Sequence, residues 1–347
     1  MSFSSSRPEK ARMIARSPEP AQAAWQGAVA DGIRDPAELF VALGLDAAGL
    51  AAASAAAHRF GCRLPRRVLD AVTAGAGDDP VLRQFLPSGA ELEAHDGYTT
   101  DPVGDRAAAR ATGLLQKYAG RALLIATGAC AVHCRYCFRR HFPYADHHAT
   151  RAAWNGALAT LGRATDVREI ILSGGDPLML TDDRLEALWR QLAGMPHLAR
   201  LRVHTRMPVV VPERVTAELV QLLARPRFAT SVVVHVNHPN ELLDDAVAAL
   251  QWLRRSGIAV LNQSVLLRGV NDDPQTLCDL SEQLFAAGVL PYYLHLLDPV
   301  AGAAHFAVAA PQAVALVQAL RSRLPGYLVP RLVRETPGAS AKVCVAC

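Results

Sequence analysis

Three cysteines carry the clearest chemical signal. Cys130, Cys134 and Cys137 stand in Cys-x3-Cys-x2-Cys spacing within Gly128-Ala129-Cys130-Ala131-Val132-His133-Cys134-Arg135-Tyr136-Cys137-Phe138-Arg139-Arg140. Three thiolates on one short loop can cap three irons of a [4Fe–4S] cubane and leave the fourth open, as a chemically active metal requires. The alternative is zinc, with His133 as a fourth ligand. Structural zinc sites usually draw on two separated ligand pairs, and no second pair lies nearby in sequence. A glycine-bearing segment, Ser173-Gly174-Gly175-Asp176-Pro177, suits close approach of backbone to a ligand.

These residues need a scaffold. Apolar, β-rich runs occur at 122–127, 169–173, 201–205, 231–237, 258–267 and 289–297. Helix-like stretches lie between them, near 150–164, 181–195, 213–224, 241–256, 274–287 and 311–323. This alternation predicts an α/β fold with a parallel sheet. The near-continuous apolarity of the runs predicts that both sheet faces are buried. A doubly wound sheet and a barrel-like sheet fit the pattern equally. The candidates at 174–177, 204–206, 235–238 and Asp298 fall at strand C-terminal ends, where parallel α/β folds place their sites. Residues 1–20 are Ser/Pro/Arg-rich and predicted mobile. Helices are predicted over 36–43 and 46–60, and turn signals at 73–110 lead into the main domain.

Hydrophobic residues make up 51% of the 347 and charged residues 20%, a globular balance. The net charge of +4 is scattered, with no Lys/Arg run interleaved with aromatics, so no nucleic-acid partner is expected. No apolar stretch reaches about 18 residues, so no membrane span is expected, and the N-terminus lacks the apolar region of a secretory signal. Seven cysteines, three of them clustered, suggest a reducing compartment, the cytoplasm, and a metal site instead of a disulfide framework. Cys62 and Cys278 are expected to be buried small hydrophobes. Cys344 and Cys347 form at most a metal half-site, and a loose terminus is the expectation there.

The cysteine spacing, with an aromatic before the last Cys, resembles the signature of radical S-adenosylmethionine enzymes, and 173–177 resembles their GGE-type motif. Longer stretches resemble lysine 2,3-aminomutases: Leu115-Gln116-Lys117-Tyr118-Ala119-Gly120-Arg121, Cys137-Phe138-Arg139-Arg140-His141-Phe142, Asn262-Gln263-Ser264-Val265-Leu266-Leu267-Arg268-Gly269-Val270-Asn271-Asp272 and Tyr292-Tyr293-Leu294-His295. They look closest to the branch that serves β-lysylation of elongation factor P. The resemblance covers residues 25–343. It implies a partial (β/α)6 TIM-like barrel over 111–325, after a helical region at 21–110 and before a C-terminal cofactor-lysine segment at 326–347. It also implies conversion of L-lysine to (R)-β-lysine by a 5′-deoxyadenosyl radical, with a [4Fe–4S] cluster, S-adenosylmethionine and pyridoxal 5′-phosphate as cofactors. An electron donor of flavodoxin or ferredoxin type and the elongation factor P ligase are the implied partners. β-Lysine made for other uses, an arginine or ornithine substrate, and the oligomeric state, a homo-oligomer included, stay open.

By the same resemblance, Cys130, Cys134 and Cys137 hold the cluster. Ser173, Gly174, Gly175, Asp176 and Gln263 bind S-adenosylmethionine. Lys117, Tyr118 and Arg121 bind the phosphate of pyridoxal phosphate, and Lys342 carries that cofactor as a Schiff base. Arg139 clamps the substrate carboxylate, a role suited to its bidentate fork, and Asp298 and Glu335 receive the distal ammonium. His235, His238 and His295 are expected beside Gln263 at the barrel mouth. There are departures from the family pattern. Lys117 replaces a common Arg, Glu335 replaces Asp, and Glu335-Thr336-Pro337-Gly338-Ala339-Ser340-Ala341-Lys342 replaces D-A-P-G-G-G-G-K. The loss of three glycines restricts that loop's backbone freedom.

Overall fold

The computed structural model describes residues 18–144 and 151–345. Most of the stretch expected to be mobile at the N-terminus, and Cys347, lie outside those residues. Three helices open the chain: α1 (Pro18–Ala30), α2 (Pro36–Leu43) and α3 (Leu50–Arg59). The start of α2 follows from local chemistry. The Asp35 side chain accepts from Ala37 N at 2.9 Å, and Pro36 occupies the first turn, where its missing N–H does no harm. Short 3-10 segments then lead to the sheet.

The sheet starts as a meander of β1 (Ala109–Ala111), β2 (Leu114–Tyr118) and β3 (Arg121–Thr127), paired antiparallel. From β3 onward every pairing is parallel through β4 (Glu169–Gly174), β5 (Arg200–Thr205), β6 (Ala229–Val234), β7 (Ala259–Val265), β8 (Leu290–His295) and β9 (Arg331–Arg334). The crossovers are α4 (Arg151–Arg163), α5 (Asp182–Ala193), the short α6 (Met207–Val210) with α7 (Ala217–Leu223), α8 (Asp244–Arg255), α9 (Pro274–Ala286) and α10 (Ala310–Arg321). A final β10 (Val343–Cys344) turns back antiparallel on β9.

Neighbours across the sheet follow chain order from β1 to β10. A doubly wound sheet would reverse its strand order at a switch point, so the architecture is the barrel-like one. Its ends, β1 and β10, are not neighbours, which leaves the barrel open. The six strands expected from apolarity are β3 to β8. The sheet has ten, because β1, β2, β9 and β10 are short or polar and give no apolar run.

One buried core runs from Trp25, Ile33 and Leu39 in the helical region to Leu124, Ile170, Val203 and Val232 in the strands. The N-terminal helices therefore pack on the barrel. Among the described residues no helix is long and apolar enough to cross a membrane.

Candidate active site

A cavity of about 280 Å³ opens at the C-terminal ends of the parallel strands. Cys130, Cys134 and Cys137 line it together with Ser173, Gly174, Gly175, Asp176, Gln263, Arg139, Asp298, Glu335, Lys342, Lys117, Tyr118 and Arg121. The residues that the resemblance assigns to the cluster, S-adenosylmethionine, pyridoxal phosphate and substrate thus line one space. His204, His235 and His295 line it as well. His238 does not. Its Nδ1 accepts from Asn240 N at 3.2 Å and caps the turn after β6, which corrects its expected place at the mouth.

The cysteine loop leaves β3 and is clamped on two sides. From the sheet, Gly175 N donates to Thr127 O at 2.7 Å and Asp176 N to Ala129 O at 2.8 Å. A Cβ on Gly175 would sit 2.3 Å from Ala129 O, so only glycine lets β4 approach the loop this closely. The close approach these glycines serve is therefore, in part, to the chain's own loop. From the helical region, Arg63 Nη1 donates to Cys130 O at 3.1 Å. The fully buried Arg135 forks onto Glu91 at 2.8 and 2.6 Å and donates to Phe60 O and Gly61 O at 2.9 Å each. Such bidentate charge-assisted bonds fix geometry.

Burial pushes the Cys130 and Cys137 thiols up, Cys137 to about 11, and the neighbouring cysteines push further. Buried thiols of this kind deprotonate when a cation compensates them. The donor set therefore fits an iron–sulfur cluster. Among the described residues no three His, Cys, Asp or Glu side chains converge on a single ion, which a cubane with one thiolate on each of three irons does not require. His133, the fourth ligand of the zinc alternative, stacks on Phe60 with ring centroids 5.1 Å apart. Its Nδ1 is 2.8 Å from Gly61 O, and it does not line the cavity.

Asp176 spends its carboxylate within the protein. It accepts from Thr205 Oγ1 at 2.7 Å, Arg206 N at 2.7 Å and Leu178 N at 3.0 Å. Its side chain ties β4 to β5, its N–H goes to Ala129 O, and its carbonyl accepts from Met179 N at 3.0 Å. Gln263 Nε2 lies 3.2 Å from His235 Nε2 and 3.5 Å from His204 Nδ1. Burial holds His204, His235 and His295 neutral, His235 down to about 3.

On the opposite wall a chain of charges links three of the expected ligand-binding groups. Tyr118 and Arg121 are directly paired across the β2–β3 turn, and the Arg121 guanidinium lies 4.5 Å from the Tyr118 ring centroid. Lys117 Nζ is 2.8 Å from Asp105 Oδ1, and Arg139 Nε donates to Asp105 Oδ2 at 2.7 Å. Arg139 Nη1 also donates to Ser173 Oγ at 3.2 Å. Asp105 is buried, and although burial pushes its pKa up, Arg139 and Lys117 hold it below the usual carboxylate range. Sequence reasoning missed Asp105. It lies in a loop before β1, and no spacing marks it.

Glu335 accepts from Tyr118 Oη at 2.6 Å and Lys342 Nζ at 2.8 Å, with Lys117 Nζ at 3.5 Å. The loop between Glu335 and Lys342 is a hairpin connection from β9 to β10. Ala339 N donates to Thr336 O at 3.1 Å, Pro337 takes the second turn position, and Gly338 takes the third with φ +78°. That is a type II turn, which needs one glycine. No non-glycine residue among those described has positive φ, so Ala339, Ser340 and Ala341 fit this backbone despite the family's glycines there. Asp298 faces the same group of charges. Burial raises its pKa to about 7, against the pull of Lys342.

Comparison with known proteins agrees with this geometry. The Radical SAM superfamily profile matches residues 124–280. The chain is 46% identical over 324 residues to L-lysine 2,3-aminomutase of Escherichia coli (strain K12), covering 93% of this chain and 94% of that protein. It is 44% identical over 322 residues to the Haemophilus influenzae protein of the same name, covering 93% and 95%. It is also 40% identical over 286 residues to that of Buchnera aphidicola subsp. Baizongia pistaciae, covering 82% and 84%. The superfamily implies a [4Fe–4S] cluster and S-adenosylmethionine. On the cysteine loop, the open barrel and these identities, the chain belongs to the L-lysine 2,3-aminomutase family of radical S-adenosylmethionine proteins.

Proposed function

We propose that this protein is a pyridoxal phosphate-dependent L-lysine 2,3-aminomutase that makes (R)-β-lysine in the cytoplasm. The observation that carries the reading is the convergence of the cysteine loop, Lys342 and the acid Asp298 on one cavity. When bound, the cluster with S-adenosylmethionine supplies a hydrogen-abstracting radical, and pyridoxal phosphate supplies the π-system over which an amine migrates.

The chain's own residues bind and orient. Lys117, Tyr118 and Arg121 offer two cations and a hydroxyl to a phosphate. Lys342 sits at the end of the adjacent hairpin, positioned to hold the cofactor. Arg139 is fixed in its plane by Asp105 and Ser173, which leaves Nη2 for a substrate carboxylate. Asp298 and Glu335 provide negative charge for a distal ammonium. Neutral His204, His235 and His295 keep further positive charge away from it. Holding the reacting groups in register supplies much of the rate.

We also infer that the β-lysine goes to a ligase acting on elongation factor P, because the stretches at 115–121, 262–272 and 292–295 resemble that branch. A flavodoxin- or ferredoxin-type protein would donate the electron. The deciding experiment is anaerobic reconstitution with iron and sulfide, then incubation with reductant, S-adenosylmethionine, pyridoxal phosphate and L-lysine. β-Lysine is expected. Product from arginine or ornithine and none from lysine would overturn the substrate. Bound zinc without sulfide would overturn the chemistry. Deleting the gene and weighing elongation factor P tests the destination of the product.

A further inference from the structure

The three cysteine sulfurs are not equivalent. Cys134 Sγ receives a hydrogen bond from Arg206 Nη1 at 3.1 Å. It has a second donor in Tyr136. The Tyr136 oxygen accepts from Arg206 Nη1 at 2.6 Å and from Asn237 Nδ2 at 2.6 Å. A phenol oxygen has two lone pairs and one hydrogen. With both lone pairs taken, the hydroxyl hydrogen is left to donate, and Cys134 is its hydrogen-bonding partner. Cys137, by contrast, receives a backbone N–H from Arg139.

Arg206 is held in place from several directions. Its Nη2 donates to Gln84 Oε1 at 2.7 Å and pairs with Glu241. Gln84 also accepts from Asn237 Nδ2 at 3.0 Å and donates to Glu241 Oε1 at 3.1 Å. The Phe85 ring lies 4.6 Å from the guanidinium carbon. The Arg206 backbone N–H is fixed by Asp176, the acid of the glycine motif. Arg206 and Glu241 are both buried, at 5% and 4% exposure, where a charge keeps its influence because water does not screen it. Thus the helical region, through Gln84 and Phe85, and the glycine motif, through Asp176, both bear on one sulfur.

We propose that Arg206 and Tyr136 are positioning residues that hold the Cys134 sulfur and raise the reduction potential of the cluster bound there. Reduction adds one electron from a low-potential donor and makes the cluster more negative. Donors and positive charge at a sulfur stabilise that form more than the oxidised one. The inference rests on the assignment of the three cysteines to a cluster, and not on the substrate or on pyridoxal phosphate.

The test is a redox titration of the anaerobically reconstituted full chain, followed by the electron paramagnetic resonance of the reduced cluster, with no amino acid or pyridoxal phosphate present. Tyr136→Phe and Arg206→Gln should each shift the midpoint to lower potential. The expected shift is about a tenfold lower reduced-to-oxidised ratio at fixed potential, or about 59 mV for a one-electron couple. Arg206→Lys, which keeps the charge, should recover part of it. Arg206→Gln strands the buried Glu241 and can misfold, so Arg206→Gln/Glu241→Gln is its companion. Tyr136→Phe, whose ring still packs edge-on against Phe306, decides the matter if neither folds. Unchanged midpoints with full iron content would overturn the inference alone. A wild-type chain that takes up no iron and sulfide would overturn it together with the cluster.

Discussion

Glu335 and Lys342 face each other one step beyond the paired residues Arg334 and Val343, and Lys342 Nζ donates to Glu335 Oε2 at 2.8 Å. The hairpin of β9 and β10 creates this pair, since antiparallel register sets the two residues opposite. The same carboxylate reaches Tyr118 and Lys117, so Glu335 links the two residues proposed to hold the phosphate to Lys342, the proposed cofactor lysine. Replacing Glu335 by Gln removes a partially buried charge that three donors share. A hydrogen bond to a charged group contributes about 1.5–3 kcal/mol. The expected result is a rise of at least about tenfold in KM for lysine. Glu335→Asp should do less harm, and steady-state kinetics checks both. Lys342→Ala should lose the visible absorbance of lysine-bound pyridoxal phosphate together with β-lysine formation.

Asp298 sets a pH dependence. Burial raises its pKa to about 7, above the roughly 3.9 of an unfolded aspartate. The protonated form is favoured in the fold, so its stability contribution is present below the unfolded value and is lost as pH rises through about 7. Function runs the other way, because only the carboxylate attracts an ammonium. Apparent affinity for lysine should climb as pH rises toward 7 and level off above it. Asp298→Asn should flatten that profile and weaken binding at every pH. Lysine titrations across the range, on wild type and variant, measure it.

Asp105→Asn tests the residue that holds both Lys117 and Arg139. Breaking a buried ion pair strands the remaining charge and costs about 3 kcal/mol. Chemical denaturation should show that loss, and the KM for lysine should rise as the Arg139 plane is released. A variant with wild-type stability and kinetics would remove Asp105 from the site.

Gly175→Ala tests the packing of the sheet on the cysteine loop. The new methyl would meet Ala129 O at 2.3 Å and the Gly128 carbonyl carbon at 2.8 Å, both backbone atoms. The loop must shift, at a cost of about 1–3 kcal/mol. Iron and sulfide per chain should fall several-fold while far-ultraviolet circular dichroism stays near wild type.

Much of the barrel was legible because its strands are buried on both faces. Val232, Val233 and Val234 are all inaccessible to solvent, and such runs stand out in sequence. Strands β2, with Gln116 and Lys117, and β9, flanked by Arg331 and Arg334, do not, since one face or one end of each stays polar. The cysteine cluster was legible for a simpler reason: its chemistry is local. Asp105 was not, and Arg206 was legible only as part of the strand-end cluster at 204–206, not as a partner of Cys134. Each acts on residues far away in sequence, and no spacing rule links Arg206 to Cys134.

What the amino-acid sequence by itself determined is therefore the set of reactive groups and the local patterns that shape them: thiols at one-loop spacing, glycines that permit close backbone approach, and apolar runs that must become buried strands. Only the tertiary structure decided which of those groups share a cavity, and which spend their polarity on the fold. Asp176, part of the motif read as binding S-adenosylmethionine, spends its carboxylate on tying β4 to β5, while Arg206 donates to the Cys134 sulfur. The physical reason is that burial removes water as a partner. Each buried charge must then find its counterpart in whatever the fold brings near, and that neighbourhood exists only once the strands have aligned.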